Sequence, residues 1–303
     1  MNARNEHPSL RGALTAVVTP FQDDGGVDHD ALRRIVEWQI ERGIDGLVPC
    51  GTTGEGATLT PDEQQQVIQT VVRAAADRVP VVAGCGSNDT RRTVQAAARA
   101  AEVGADALLV VTPYYNKPNP TGMFAHYEAV AAASDRPVVV YNVPSRTGQD
   151  LGAEQILRLA GIPGVIAVKE ASADLDQIGA ILERRPRGFA VLSGDDSLAL
   201  PTVALGAEGV ISVASNVAPA EMSQLVRAAA EGDLETARRL HFRLLPLLRA
   251  NFIESNPVPV KQALAWMGHC SPRLRPPLGP LAPASAETLR QALSAAALSG
   301  VRS

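Results

Sequence analysis

A chain of 303 residues that is 46% hydrophobic and 20% charged carries enough apolar material for a large core, in one α/β barrel or two smaller domains. A net charge of −4 with 4% aromatic residues leaves no basic, base-stacking surface for nucleic acid. Cys50, Cys85 and Cys270 form no disulfide framework and no CxxC pair, residues 1–11 hold no apolar signal segment, and no apolar run exceeds strand length, so a reducing compartment, no secretory signal and no membrane span are expected.

In chain order the pattern predicts a strand over 13–19 and a helix over 30–42 preceded by Asp28 as cap. A strand over 46–49 leads to a helix over 61–77, entered through Thr60-Pro61. A strand over 79–83 precedes a helix over 90–103, capped by Asp89 or Thr90. Strands over 107–112, 137–141, 165–169 and 189–192 are followed by helices over 122–133, 153–159, 175–184 and 198–205. The eighth strand spans 209–213, and a helix over 220–230 closes the series. Most strands are continuous apolar runs, the pattern of parallel strands buried on both faces. Eight βα units in succession predict a (β/α)8 TIM barrel. The competing arrangement is a doubly wound open sheet. Against it, the turn after the first strand reads Thr19-Pro20-Phe21-Gln22, with no Gly-x-Gly-x-x-Gly, and no P-loop occurs. Helices over 234–249, 258–267 and 286–297, with a proline-rich loop over 271–283, form a C-terminal helical appendage. The expected partition is a barrel over 12–231 and an extension over 232–300.

In such barrels the chemistry sits at the C-terminal ends of the strands. Strand two runs into Gly51-Thr52-Thr53-Gly54-Glu55-Gly56, whose N–H groups and hydroxyls suit a carboxylate or phosphate, although Gly-Thr turns also serve as plain loops. Strand four ends in Thr112-Pro113-Tyr114-Tyr115-Asn116-Lys117-Pro118, where the tyrosines either supply phenols to a cavity or pack at an interface. Strand five ends in Tyr141-Asn142-Val143-Pro144-Ser145-Arg146-Thr147. Tyr141 can face the mouth, and Arg146 either grips a carboxylate bidentately or is a solvated charge. Strand six closes on Lys169, after the apolar run 164–168 and before Glu170-Ala171-Ser172. Only Lys117, Lys169 and Lys261 stand among 28 Lys+Arg, so 28 − 3 = 25 are arginines. Arginine keeps its proton, whereas a lysine can become an amine nucleophile. Lys169 is therefore the candidate Schiff-base residue, against the bland reading of a lysine snorkelling to water. Strand seven ends in Ser193-Gly194-Asp195-Asp196, acids read as helix caps rather than metal ligands because the five histidines are scattered. Strand eight ends in Ile211-Ser212-Val213. The cysteines read as buried thiols, Cys50 lying nearest the Gly-Thr turn. An anion nest, a phenol and a lysine at one barrel mouth suit class I aldolase chemistry on a 2-oxo acid: the amine attacks the ketone, the imine acts as electron sink, and the enamine adds to a carbonyl.

Through these motifs, and Asn256-Pro257-Val258-Pro259-Val260-Lys261 in the appendage, the chain from about 14 to about 267 resembles the dihydrodipicolinate synthase / N-acetylneuraminate lyase family. The resemblance implies that Lys169 forms the Schiff base with pyruvate and that Tyr141 relays protons. It implies that Thr53 links Tyr141 to Tyr115, the latter reaching in from a neighbouring subunit. Thr52 and Thr53 would hold the pyruvate carboxylate, Arg146 the carboxylate of aspartate 4-semialdehyde, and the backbone carbonyls at Gly194 and Ile211 would line the site. The implied activity is condensation to 4-hydroxy-tetrahydrodipicolinate, in lysine and diaminopimelate biosynthesis, without metal or organic cofactor, in a cytoplasmic homotetramer built as a dimer of dimers. The alternative is another pyruvate-dependent lyase of the family, acting on a sugar acid. Thr52-Thr53 and Arg146 speak for the synthase, because the sugar-acid lyases tend to carry Gly-Ser-Thr-Gly at the first motif and lack the arginine. A barrel that only senses small acids would leave Lys169 without a covalent role. Lysine-inhibited members carry an acidic residue four positions after the Asn matching Asn88. This chain has Arg92 there, and Gln64 where a histidine is frequent, which implies weak or absent inhibition by lysine.

Overall fold

The computed structural model describes residues 8–298. Residues 1–7, part of the segment expected to hold no signal, and 299–300 of the expected extension lie outside them. Eight parallel strands follow one another: β1 (Gly12–Ala16), β2 (Gly46–Val48), β3 (Val82–Gly84), β4 (Ala107–Val111), β5 (Val138–Asn142), β6 (Val165–Glu170), β7 (Ala190–Ser193) and β8 (Gly209–Ser212). They pair in the order β2-β1-β8-β7-β6-β5-β4-β3. The two ends meet where Leu47 bridges Val81, Leu47 N–H donating to the Pro80 carbonyl at 3.0 Å and Gly84 N–H to that of Pro49 at 2.9 Å. The ring is the expected (β/α)8 barrel. Its third strand starts at Val82 rather than 79, since Pro80 has no N–H to give a ladder.

The intervening helices are α1 (His29–Glu41), α2 (Pro61–Ala75), α3 (Thr90–Glu102), α4 (Pro120–Ala131), α5 (Pro144–Thr147), α6 (Gly152–Leu159), α7 (Leu175–Arg184), α8 (Ala199–Ala204) and α9 (Pro219–Ala230). The expected caps are in place. The Asp28 carboxylate accepts from Ala31 N–H, Thr60 and Glu63 close a capping box, and Asp89 accepts from Arg92 N–H. The sequence pattern did not suggest α5, because four residues started by Pro144 show no helical periodicity.

Two apolar layers hold the barrel. Leu14, Ala16, Val48, Val82, Leu109, Val139, Ala167, Leu192 and Ile211 fill the interior. Alternate residues such as Ala13, Leu47, Val138, Val140 and Val168 face outward, against helix residues such as Leu32, Ile35, Val67 and Val71. Each fully buried large side chain of this kind contributes about 1.5–3 kcal/mol relative to exposure.

The chain then continues into α10 (Leu234–Ala250), α11 (Val258–Trp266) and α12 (Pro283–Ala295). α10 packs on α9 and α12. The fully buried Lys261 of α11 places Nζ 2.6 Å from Glu55 Oε1 and 4.0 Å from the centroid of the Phe21 ring. Burial pushes the Lys261 ammonium below its ordinary value, opposed by the Glu55 carboxylate. Arg275 donates its backbone N–H to Glu55 Oε2 at 3.0 Å and forks onto Glu63 at 2.9 and 2.5 Å. That fork holds the Glu63 carboxyl down at about 2. The appendage thus grips the Gly-Thr turn and the start of α2. Among the described residues no helix is long and apolar enough to cross a membrane.

Candidate active site

Strand geometry brings Tyr141 and Lys169 together. Side chains on a strand alternate, so Tyr141 follows Val139 and Lys169 follows Ala167 onto the interior face. The β5–β6 register skips Ile166, pairing Val138 with Val165 but Val139 with Ala167. This bulge brings Ala167 and Lys169 level with Val139 and Tyr141. The Lys169 ammonium nitrogen lies 4.3 Å from the Tyr141 ring centroid, and the two residues are 5% and 7% exposed. One position further on, both strands are locked from outside. Asn142 Nδ2 donates to Asp150 Oδ1 at 2.8 Å and to Glu170 Oε1 at 3.0 Å, and Ser172 N–H donates to Glu170 Oε1 at 2.7 Å. Burial pushes the Glu170 carboxyl up, offset by these donors.

The Gly-Thr turn is compact because its glycines are needed. A Cβ on Gly56 would come 2.2 Å from the Cys50 carbonyl oxygen. Cys50 and Glu55 take left-handed φ values of 58° and 52°, a conformation that costs a residue with a side chain and persists where the surroundings hold it. Here Lys261 and Arg275 hold Glu55, and Thr19 Oγ1 donates to the Gly54 carbonyl at 2.6 Å. Among the described residues no protein acceptor takes the backbone N–H of Thr52 or Thr53. The Thr53 hydroxyl oxygen accepts from Asn256 Nδ2 at 2.9 Å.

A cavity of about 500 Å³ is lined by Thr52, Thr53, Tyr141, Arg146, Lys169 and Gly194, among others. α5 carries Arg146, whose Nη2 lies 3.5 Å from the Asn256 carbonyl. Two residues of the expected set stand apart. Ile211 is fully buried in the barrel interior, and the chain reaches the cavity only just past β8, through Val213. Tyr115 is 90% exposed with φ of 70° and lies outside the cavity of its own chain. Tyr114 lines a second cavity, about 880 Å³, together with Gln64, Arg92 and Arg99.

Sequence reading missed the appendage side of the site. Phe252, Ile253, Ser255 and Asn256, between α10 and α11, wall the first cavity. The only signal was the Asn256-Pro257 motif, which carries no chemistry by itself. The two aspartates after β7 differ in role. The fully buried Asp196 accepts from Val213 N–H at 3.0 Å and Ala214 N–H at 2.8 Å, across to the end of β8. Asp195 caps nothing with its side chain and lines the cavity, its carboxyl pushed up by burial and pulled back by the charge of Lys169. Cys50 is buried, and burial pushes its thiol far up, consistent with a packed, inert group.

A model of the dihydrodipicolinate synthetase family matches residues 9–296. The 4-hydroxy-tetrahydrodipicolinate synthase of Nitratidesulfovibrio vulgaris is 53% identical over 290 residues, covering 95% of this chain and 99% of that protein. The crystal structure of dihydrodipicolinate synthase from Aquifex aeolicus superposes with a TM-score of 0.94 at 44% identity, over 97% of this chain and 100% of that one. A chloride-inhibited dihydrodipicolinate synthase from Acinetobacter baumannii, complexed with pyruvate, gives 0.94 at 43% identity, over 96% and 100%.

Proposed function

The chain belongs to the dihydrodipicolinate synthetase family, and from that premise we propose that it condenses pyruvate with aspartate 4-semialdehyde to 4-hydroxy-tetrahydrodipicolinate, through a Schiff base on Lys169. The observation that carries this reading is a buried amine at an inward strand end, 4.3 Å from a phenol ring centroid, in a cavity shared with Thr52, Thr53 and Arg146. The neutral amine of Lys169 attacks the ketone carbon of pyruvate. Water leaves the carbinolamine, and the imine draws electrons from C3 to give an enamine. The enamine adds to the aldehyde, and the amine of the second substrate then displaces Lys169 and closes the ring. Tyr141 moves the protons, with Thr53 as its neighbour in the relay. Thr52 and Thr53 supply their backbone N–H groups for the pyruvate carboxylate. The carbonyl at Gly194, in the wall of the same cavity, faces the substrate. Borohydride reduction in the presence of pyruvate tests the step. A covalent adduct on Lys169 is expected, and an unchanged protein mass would rule the mechanism out.

Arg146 matches a second carboxylate with its planar fork. Arg146→Ala is expected to retain the pyruvate adduct and raise the KM for aspartate semialdehyde about 10- to 100-fold, the worth of a charge-assisted contact. Unchanged kinetics would remove that role from Arg146.

We take 12–231 as the catalytic barrel and 232–300 as an extension that braces it. The 90% exposure of Tyr115 suits a phenol that completes the site of a neighbouring copy, in a cytoplasmic homotetramer; light scattering measures that state. Arg92 in the second cavity would repel an incoming ammonium group. Millimolar lysine is therefore expected to leave initial rates within about twofold, and full inhibition would refute the reading.

A further inference from the structure

Asn256 sits in the loop between α10 and α11 that lines the barrel mouth, and it is 5% exposed. Its Nδ2 donates to Thr53 Oγ1 at 2.9 Å, while its carbonyl oxygen lies 3.5 Å from Arg146 Nη2. One appendage residue therefore touches both a member of the proton relay and the clamp for the second substrate. Among the described residues its buried Oδ1 has no hydrogen-bond partner. The reverse amide orientation would instead orphan two buried N–H donors. Orphaned donors are rarer in native proteins than under-satisfied carbonyl oxygens. The donor thus belongs toward Thr53.

That contact has a direction. A threonine hydroxyl has one proton to give and two lone pairs. An amide N–H can only donate, so it occupies a lone pair of Thr53 and leaves the hydroxyl proton for another acceptor. Thr53 and Tyr141 line the same cavity. Resting on the synthase reading above, we propose that Asn256 is a positioning residue that sets the polarity of the relay, holding Thr53 as the donor to the phenol oxygen of Tyr141. The proton balance then closes. Tyr141 gives its phenolic proton to the carbinolamine oxygen, the C–O bond breaks, and water leaves as the C=N bond forms. The Thr53 O–H stabilises the resulting phenolate. The phenolate removes a proton from C3, the electron pair moves into the enamine, and Tyr141 is a phenol again. With Thr53 turned to accept, the phenolate would meet a lone pair instead of a proton.

Two substitutions separate polarity from mere support. Asn256→Ala removes the orienting donor. Asn256→Asp keeps the shape and a hydrogen bond but offers only acceptors when ionised, so it takes the Thr53 proton for itself. Asn256→Ala is expected to lower kcat about tenfold and Asn256→Asp about 100-fold, with the KM for pyruvate within about twofold and the borohydride adduct on Lys169 retained. A purely structural tie predicts the opposite order, the near-isosteric aspartate being the milder change. Both substitutions are repeated in a Thr53→Val background, where no hydroxyl remains to orient and each should change kcat by less than about twofold. Should the aspartate variant fail to fold, the alanine pair alone decides. A tenfold loss that persists without the Thr53 hydroxyl overturns the proposal, as does an aspartate variant no slower than the alanine one. An unmodified protein that forms no pyruvate adduct overturns the synthase reading and this inference with it. An adduct and ring product in the unmodified protein, with the wrong order among the variants, overturns this inference alone.

Discussion

Lys169→Ala is expected to lower turnover by at least about 10³-fold and to leave no mass adduct after borohydride reduction with pyruvate. The loss should be this large because no other lysine can substitute. Lys261 is fully buried and locked to Glu55 at 2.6 Å, and Lys117 is outside the cavity. Lys169→Arg should be equally inactive, since a guanidinium keeps its charge and cannot form the imine. Intact-mass measurement, peptide mapping and initial rates check both variants. A pyruvate adduct that survives Lys169→Ala and maps to another residue would overturn the mechanism.

Lys261→Met is expected to destabilise the fold by about 3–5 kcal/mol, the usual consequence of removing one partner of a buried ion pair. The pair is almost wholly shielded, with side-chain exposures of 0% and 1%, so the stranded Glu55 carboxylate has no water to turn to. Urea unfolding should report a lower midpoint with an unchanged slope. The double variant Lys261→Met with Glu55→Gln should recover most of the loss, because a neutral amide in place of the carboxylate removes the uncompensated charge and its oxygen can still accept the Arg275 N–H. The single variant should also bind pyruvate less tightly, because Glu55 lies in the turn that carries Thr52 and Thr53. Unfolding identical to that of the unmodified chain would show that the pair contributes nothing.

The barrel was legible in the sequence because each of its strands is a short apolar run bounded by turn residues, and parallel strands buried on both faces read that way. The caps were legible as well, since Asp28, Thr60 and Asp89 act within three residues of themselves. The barrel rule put Tyr141 and Lys169 at strand ends, and the scarcity of lysine singled out Lys169. What stayed hidden depends on contacts between distant segments. Nothing local in Asn256 announces a bond to Thr53, and nothing near Lys261 announces Glu55. The bulge at Ile166 was equally hidden, because it exists only as a register between two strands. α5 escaped notice for a different reason: a single turn is too short to have a period.

The clamp over the Gly-Thr turn ties together segments far apart along the polypeptide. Thr53 and Asn256 are separated by 203 residues, Glu55 and Lys261 by 206, and Glu55 and the Arg275 backbone by 220. During translation Lys169, Tyr141, Thr52 and Thr53 all leave the ribosome before the residues that seat the turn. A nascent barrel can therefore close its ring of strands and still lack a finished pocket until position 275 has emerged. Premature termination before position 275 would leave Lys169, Tyr141, Thr52, Thr53 and Arg146 in the chain without the contacts that seat the turn.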